Sequence, residues 1–256
     1  KGDLLMMTST GLPNDLAEYI DFSMIAQAEG LKFGIEHFRR LKPHCSGTLI
    51  WQLNDCWPVL SWAIMDYYGF GKAGYYYTRR VYAPLLASFK HLDDGSLELW
   101  ITNDTLQPFA GPVAIQYGSF GKGTLWAEEV KVEVPANASQ PVWRSTAEHA
   151  PARPDCYLAV RSPTAAFPAN RTFFVAIKDL QRTPVAPQVQ VSAVNAHELR
   201  VQVEAPAYLY FFHLLLPDEA AHYSDNYFDL AAGERADITI TSPSPLRPEQ
   251  LIWHWR

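Results

Sequence analysis

The sequence changes character near Leu85, and this change limits the possible folds more than any other feature. Before Leu85 the chain carries long helical patterns and a single strand-like run. After it, apolar runs of about five to nine residues alternate with turn residues, a spacing typical of short strands in β-sandwiches. We therefore predict a first third built mainly of helices, followed by an all-β remainder.

The first third predicts a helix, a strand, a long loop and a second helix, in that order. Apolar side chains in residues 14–40 recur with the period of a helix, and Asn14 or Asp15 is suited to cap its start. Residues 47–53 form a nearly continuous apolar run, which is typical of a strand buried on both faces of a parallel sheet. Residues 72–82 predict the second helix. This order of elements indicates an α/β barrel.

One strand and two helices cannot close a barrel, which needs eight strands and their helices. The first third is therefore predicted to be the end of a larger domain, and the sequence to be a C-terminal part of a longer protein. The predicted domains are residues 1–84 for the end of the barrel, 85–182 for a first β-sandwich and 183–256 for a second, smaller one.

Composition excludes several classes of protein. The formal net charge is −6 and the pI is about 5.7, which argues against a nucleic-acid partner, because such domains usually carry a basic excess. No apolar stretch approaches the ~20 residues that a membrane span needs, so we expect a soluble protein without a membrane partner. Three cysteines are too few for a disulfide scaffold, and the compartment is not determined by the sequence.

The loop after the predicted strand is the strongest candidate for a binding site. In a barrel, the C-terminal ends of the strands and the loops that follow them face the active site. This loop holds three tryptophans, whose flat apolar faces are suited to stacking on sugar rings, while Asn54 and Asp55 could bond to sugar hydroxyls. The tryptophans are Trp51, Trp57 and Trp62. The alternative is that they fill the barrel core and its rim.

Four stretches of the sequence resemble the β-mannosidases of glycoside hydrolase family 2. They are residues 26–33 (AQAEGLKF), 51–58 (WQLNDCWP, continued by Ser61, Trp62 and the DYYG of 66–69), 75–86 (YYYTRRVYAPLL) and 223–230 (YSDNYFDL). Residues 26–33 resemble the family's helix before the last barrel strand, and the stretch that begins at residue 51 resembles that strand with its loop. Residues 75–86 resemble the final helix and the exit of the chain into a sandwich. The fourth resembles a signature of the last sandwich domain. Related exo-glucosaminidases tend to carry Asn and Ala in place of Asp55 and Cys56.

The resemblance implies both a fold and an activity. The fold is the end of a TIM-type barrel, consisting of its last strand and flanking helices, followed by two all-β immunoglobulin-like sandwiches. The activity is that of a retaining exo-glycosidase, which removes terminal non-reducing β-D-mannose from β-mannoside oligosaccharides. Such an enzyme uses two carboxylates about 5–5.5 Å apart, one as nucleophile and one as acid/base.

The resemblance also implies where the site residues lie. Both catalytic Glu residues of the family follow earlier barrel strands, so they are expected upstream of Lys1, and the chain alone is expected to be inactive. The expected substrate-binding residues are Trp51, Asn54, Asp55 and Trp57. The expected partners are the substrate and the rest of the catalytic barrel upstream. No cofactor and no metal are expected, because Glu36, His37 and His44 lack the spacing of a zinc helix.

Other interpretations of the residues stay open. Glu18, Glu29 and Glu36 lie on the long helix, where a packing or surface role is the simpler interpretation. Asp55 and Asp66 could bond to sugar or could fix the loop. The whole chain could instead be a non-catalytic carbohydrate-binding or structural sandwich module. It could also belong to a family relative that acts on another sugar, such as an exo-β-glucosaminidase or a β-galactosidase.

Overall fold

The computed structural model describes residues 2–59, 61–218 and 220–256, and its internal contacts divide the chain into two compact units. In the described chain, α-helices occur only in the first third: α1 (Gly2–Ser9), α2 (Leu16–Arg40) and α3 (Ala73–Val81). One unit comprises residues 2–12, 30–49 and 78–182, and the other comprises 13–29, 50–77 and 183–256. Helices α2 and α3 therefore contribute residues to both units.

Helix α2 confirms the helix predicted over residues 14–40, and its start is fixed by a reciprocal cap. The Asp15 carboxylate accepts a hydrogen bond from the Glu18 backbone N–H at 2.8 Å, while the Glu18 carboxylate accepts one from the Asn14 N–H at 2.9 Å. Both bonds satisfy donors that a helix start otherwise leaves unpaired. Helix α3 likewise confirms the second predicted helix. Helix α1 was not predicted, because its apolar residues 4–7 are consecutive and show no helical period.

The predicted buried strand over residues 47–53 is not present. The segment pairs with none of the four sheets, and Leu49 is fully exposed while Leu53 is 58% exposed. A strand buried on both faces requires neighbouring strands and covering helices. The described part of the chain supplies neither for this segment, so its apolar side chains remain uncovered.

The first unit contains an antiparallel β-sandwich. Its strands are β1 (Leu85–His91), β2 (Leu97–Asn103), β3 (Phe109–Ser119), β4 (Gly123–Val134), β5 (Ala138–Ser145), β6 (Cys156–Arg161) and β7 (Asn170–Phe173). They form two sheets, ordered β1-β2-β5 and β4-β3-β6-β7. Alternate residues of both sheets point into one buried core, represented by Leu99, Ile101, Ile115 and Leu158. A shared core between two sheets is the defining feature of a sandwich.

The second unit contains seven further strands in two sheets. They are β8 (Gln188–Asn195), β9 (Glu198–Glu204), β10 (Leu209–Leu215), β11 (His222–Tyr223), β12 (Phe228–Leu230), β13 (Arg235–Thr241) and β14 (Ile252–His254). The sheets are ordered β12-β10-β14 and β11-β13-β9-β8. Strand β10 is buried along nearly its whole length because its second face is also covered, with Tyr77 packing against Phe211 at 6.4 Å between ring centres.

Twelve of the strands in the described part of the chain overlap an apolar run that the sequence predicts as a strand, although the run predicted over residues 172–177 shares only two residues with β7; β5 and β11 were not predicted. Strand β5 carries Pro141 beside a register shift and lacks clear alternation of polar and apolar residues, so its sequence gives a weak signal. Strand β11 contains only two residues. The glycine-rich residues 118–123 form the hairpin between β3 and β4, where Gly123 adopts a φ of 71°.

Within the first unit, a buried ionic cluster attaches the second half of α2 to the sandwich. The Glu36 carboxylate, 5% exposed, accepts hydrogen bonds from Lys32 at 2.9 Å and from Asn170 at 2.7 Å. Arg40 lies 3.9 Å from Glu36 and donates to the Ser88 hydroxyl at 3.0 Å. Burial lowers the pKa of Arg40, and Glu36 opposes that shift. The buried charges are thus tolerated because they meet each other.

Within the second unit, Asp21 has the same role for the first half of α2. Its carboxylate, 8% exposed, accepts hydrogen bonds from Arg256 at 2.5 and 2.8 Å. The buried His213 ring lies 3.8 Å from the other carboxylate oxygen and stacks on Tyr227 at 4.7 Å. Burial lowers the pKa of His213. The helix is therefore held to the strand that carries His213 and to the end of the described chain.

Asn226, in the middle of the sequence motif YSDNYFDL, pairs with the backbone of β10. Its side-chain oxygen accepts from the Leu214 N–H at 2.8 Å, and its side-chain N–H donates to the Leu214 carbonyl at 2.9 Å. Asn226 is fully buried, and the next residue, Tyr227, adopts a left-handed φ of 49°. The motif is therefore explained by its structural role in the second sandwich.

We predict that Glu36→Ala lowers the free energy of unfolding by about 3–5 kcal/mol, because Lys32 and Arg40 are left buried without their carboxylate. The matched control is Glu204→Ala, which removes an exposed pair with Arg235 and should cost less than about 1 kcal/mol. Urea denaturation of the purified protein measures both variants. Equal losses for the two would contradict the structural role of the buried cluster.

We predict that Asn226→Ala costs at least about 2 kcal/mol of stability, because it leaves the buried N–H and carbonyl of Leu214 unpaired. The control is Asn195→Ala in the exposed β8–β9 hairpin, which should change stability by less than about 1 kcal/mol. Calorimetric melting of both variants tests this. A melting temperature of Asn226→Ala equal to that of the control would show that the motif does not support β10.

Candidate functional site

The loop from Trp51 to Gly71 folds back along itself. The Met65 N–H donates to the Leu53 carbonyl at 2.8 Å, and the Ile64 N–H donates to the Gln52 carbonyl at 3.1 Å. The Trp51–Gln52 peptide is cis. The backbone hydrogen bonds pair residues 52–55 with residues 64 and 65. The loop therefore has a defined conformation without belonging to a sheet.

Asp55 lies inside this loop. The residue is 4% exposed, and its carboxylate accepts a short hydrogen bond from the Ser61 hydroxyl and a second bond from the Lys72 ammonium at 3.3 Å. The Ser61 bond lowers the pKa of Asp55 the most; Lys72 adds to the shift and burial opposes it. The carboxylate is thus ionised at neutral pH. Its stabilising bonds are lost only as the pH falls through the lowered pKa.

Asp66, the second carboxylate of the loop, closes a turn. One of its oxygens accepts hydrogen bonds from the N–H groups of Tyr68 at 2.9 Å and Phe70 at 2.8 Å. Gly69 supplies the positive φ of 92° that the turn requires. Of the two roles left open for Asp66, this geometry favours fixing the loop.

Most aromatic side chains of the loop are exposed to solvent. The exposed fractions are 75% for Trp51, 66% for Trp57 and 72% for Trp62, and Tyr67 and Tyr68 are half exposed. Large exposed aromatic groups of this kind are typical of surfaces that bind a ligand or another part of a protein. In this chain the tryptophans therefore do not fill a core.

Two polar contacts accompany the exposed tryptophans. The Gln27 side chain donates to the Trp62 carbonyl at 2.8 Å, which attaches the loop to α2. The exposed Asn54 donates to the Asp55 carbonyl at 3.2 Å, and among the described residues none donates to its side-chain oxygen. Asn54 is therefore available for contact with a ligand, whereas Asp55 is enclosed.

The three glutamates on α2 all have structural partners. Glu18 belongs to the helix cap, Glu36 belongs to the buried ionic cluster, and Glu29 accepts from Tyr210 at 3.2 Å and lies 3.4 Å from the Tyr77 hydroxyl. These contacts favour the packing role for each of them. The sequence indicated no role for Lys72, and it indicated none for Ser61 and Gln27 beyond their place in stretches that resemble the family, since Ser, Lys and Gln are common at protein surfaces.

Among residues 2–59, 61–218 and 220–256, no group of three or more His, Cys, Asp or Glu side chains is arranged to hold a metal ion. Within the same ranges, no helix has the length and apolar character needed to span a membrane.

Two family models match the all-β part of the chain. A mannosidase Ig/CBM-like domain matches residues 95–179, and a mannosidase Ig-fold domain matches residues 182–252. The two matched ranges lie within the first and second sandwich, respectively.

Known proteins match the chain in both sequence and structure. β-Mannosidase B of Aspergillus niger is 35% identical over 131 residues, which covers 45% of this chain and 16% of that protein. A crystal structure of β-D-mannosidase from Dictyoglomus thermophilum matches with a TM-score of 0.86 and 27% identity over 99% of this chain and 31% of that one. An exo-chitosanase from Amycolatopsis orientalis shares the fold, with a TM-score of 0.68 and 15% identity over 98% of this chain and 35% of that one.

The chain spans about one sixth of the length of the curated relatives that it matches. The matched models, the sequence relatives and the solved mannosidase agree with one another. These matches identify the all-β part as mannosidase Ig-like domains, and they support the interpretation of the chain as a C-terminal part of a β-mannosidase of glycoside hydrolase family 2.

Proposed function

We propose that the full-length protein containing this chain is a retaining exo-β-mannosidase, which removes terminal non-reducing β-D-mannose residues from β-mannoside oligosaccharides. The observation that carries this proposal is the joint match to proteins of that name. Over 131 residues the sequence is 35% identical to a β-mannosidase B, and 99% of the chain matches a β-D-mannosidase structure with a TM-score of 0.86.

The proposed domains are residues 1–84 for the end of a TIM-type catalytic barrel, and 85–182 and 183–256 for the two accessory sandwiches. The order α2, extended segment, loop and α3 supports the barrel end. Exposed apolar side chains in residues 1–84 also support the barrel end: Leu49 is 102% exposed, Phe33 is 72% exposed and Leu53 is 58% exposed. Such exposure is costly unless other residues cover these side chains. The rest of the barrel upstream is the proposed cover.

In the proposed site, Trp51 forms the floor under the sugar ring at the cleavage point. Its 75% exposed indole offers a flat apolar face to the C–H groups of the ring. Asn54 contributes a hydrogen bond to a sugar hydroxyl, and Trp57 contributes a second aromatic surface. The two catalytic glutamates come from the barrel upstream, so this part of the enzyme binds and orients the sugar while the upstream part breaks the glycosidic bond.

The deciding experiment is a panel of p-nitrophenyl glycosides assayed with the full-length protein. We expect hydrolysis of the β-D-mannoside with release of β-mannose, the anomer that a retaining mechanism forms first. Preferred hydrolysis of the β-D-glucosaminide or the β-D-galactoside would show that the enzyme acts on that sugar and not on β-D-mannose. No hydrolysis of any member would support the non-catalytic module instead.

We predict that Trp51→Ala lowers kcat/KM for the β-D-mannoside by more than about tenfold, because the indole face under the sugar is lost. Trp51→Phe keeps a flat apolar face and should lose less. Leu106→Ala removes a similarly exposed side chain, 86% accessible, from the first sandwich and is the control for unspecific effects. Near-normal turnover of Trp51→Ala would contradict the assignment.

We predict that the purified 256-residue chain alone shows no β-mannosidase activity above a mock preparation, because the proposal places both catalytic carboxylates upstream of it. The full-length protein at the same molar concentration is the positive control. Activity that co-elutes with the isolated chain through two different columns would mean that a nucleophile lies within it.

A further inference from the structure

The Asp55 carboxylate uses both of its oxygens inside the protein. One oxygen accepts from the Ser61 hydroxyl and the other from the Lys72 ammonium. Only 2% of the Asp55 side chain and 19% of the Lys72 side chain are accessible. Because so little of the Asp55 side chain is accessible, a sugar hydroxyl could reach this carboxylate only if the residues around it moved.

The two partners come from separate points of the loop. Ser61 directly precedes the exposed Trp62, and Lys72 directly precedes the first residue of α3. Asp55 itself lies two residues before the exposed Trp57. One carboxylate therefore links three stretches of chain, of which one carries Trp57 of the proposed site and another carries the exposed Trp62.

Ser61 passes the restraint on to the backbone. Its hydroxyl oxygen accepts from the Ala63 N–H at 3.0 Å while the hydroxyl donates to Asp55. Trp62, which follows Ser61, is 72% exposed, whereas the next two residues, Ala63 and Ile64, are buried. The chain is thus held so that its small and aliphatic side chains point inward and the indole points outward.

We propose that Asp55, together with Ser61 and Lys72, is a positioning residue that sets the orientation of Trp57 and Trp62 around the substrate without touching it. The proposal rests on the proposed function and refines it, because it takes Asp55 out of the set of residues expected to bind the sugar. The lowered pKa of Asp55 agrees with a carboxylate that stays ionised between these partners.

The test uses the full-length enzyme with Asp55→Asn, Ser61→Ala, Lys72→Met and the double variant Asp55→Asn/Ser61→Ala. Misplacing a substrate-orienting group costs up to about a hundredfold in rate, so we expect Asp55→Asn to lower kcat/KM about tenfold or more. Ser61→Ala and Lys72→Met should each give a clear part of that loss. The double variant should be no worse than about twofold below Asp55→Asn, because the residues act as one unit.

The conservative variants Ser61→Thr and Lys72→Arg keep the hydroxyl and the charge, and they should restore most of the activity. The matched control is Asp94→Asn in the first sandwich, because Asp94 also bonds to a serine hydroxyl (Ser96) and to a cation (Arg144 at 2.8 Å), but at an exposed position. This control should leave kcat/KM unchanged. Normal activity of Ser61→Ala and Lys72→Met beside a large loss in Asp55→Asn would overturn the proposal in favour of direct sugar contact.

A second readout does not depend on activity. In ligand-free enzyme labelled with 5-fluorotryptophan, the ¹⁹F resonances of Trp57 and Trp62, identified with Trp57→Phe and Trp62→Phe, should shift or broaden in Ser61→Ala and return in Ser61→Thr. Unchanged resonances would overturn the positioning role even if the wild type hydrolyses the β-mannoside. If the wild type hydrolyses no glycoside, the proposed function fails, and the resonances still decide whether Asp55 positions the loop.

Discussion

Buried carboxylates that meet their donors inside the protein hold the first third of the chain in place. Asp21 binds Arg256, Glu36 binds Lys32 and Asn170, and Asp55 binds Ser61 and Lys72. A buried carboxylate without such partners is strongly destabilising, so each of these contacts allows little freedom to the element that carries it. Helix α2 is held through Asp21 in one unit and Glu36 in the other, and the aromatic loop is held through Asp55. The geometry of the candidate site thus depends on electrostatic pairing more than on an apolar core of its own.

This arrangement separates the residues that face a ligand from those that shape the loop. Trp51, Trp57 and Trp62 point outward, whereas Asp55, Ala63 and Ile64 are buried. The aromatic surface costs little to organise because its backbone is already fixed before a ligand arrives. We propose that this part of a β-mannosidase contributes a preformed binding surface, and that the acid/base chemistry is supplied by the barrel upstream.

The sequence predicted the elements whose side chains repeat with a clear period. Helix α2 and most strands of both sandwiches follow from such patterns and from turn residues. The prediction of a buried strand over residues 47–53 was wrong. The apolar composition of this segment is suited to a strand between neighbouring strands, which the described part of the chain does not supply. Strand β5 was missed because Pro141 and its polar residues obscure the alternation. The tryptophans were recognised as candidates from their position after the predicted strand, with a core role left open as the alternative. The enclosure of Asp55 was not predicted, since the roles of Ser61 and Lys72 depend on how the loop folds back.

The most direct test of this account is a crystal structure of the full-length protein with a non-hydrolysable mannose-configured inhibitor. The account predicts that the sugar ring lies on the Trp51 indole, between two glutamates from upstream barrel strands whose carboxyl groups are about 5–5.5 Å apart. It also predicts that Asp55 remains on Ser61 and Lys72 without contacting the sugar. An inhibitor bound elsewhere, or a Trp51 ring buried under upstream chain in place of sugar, would contradict the account.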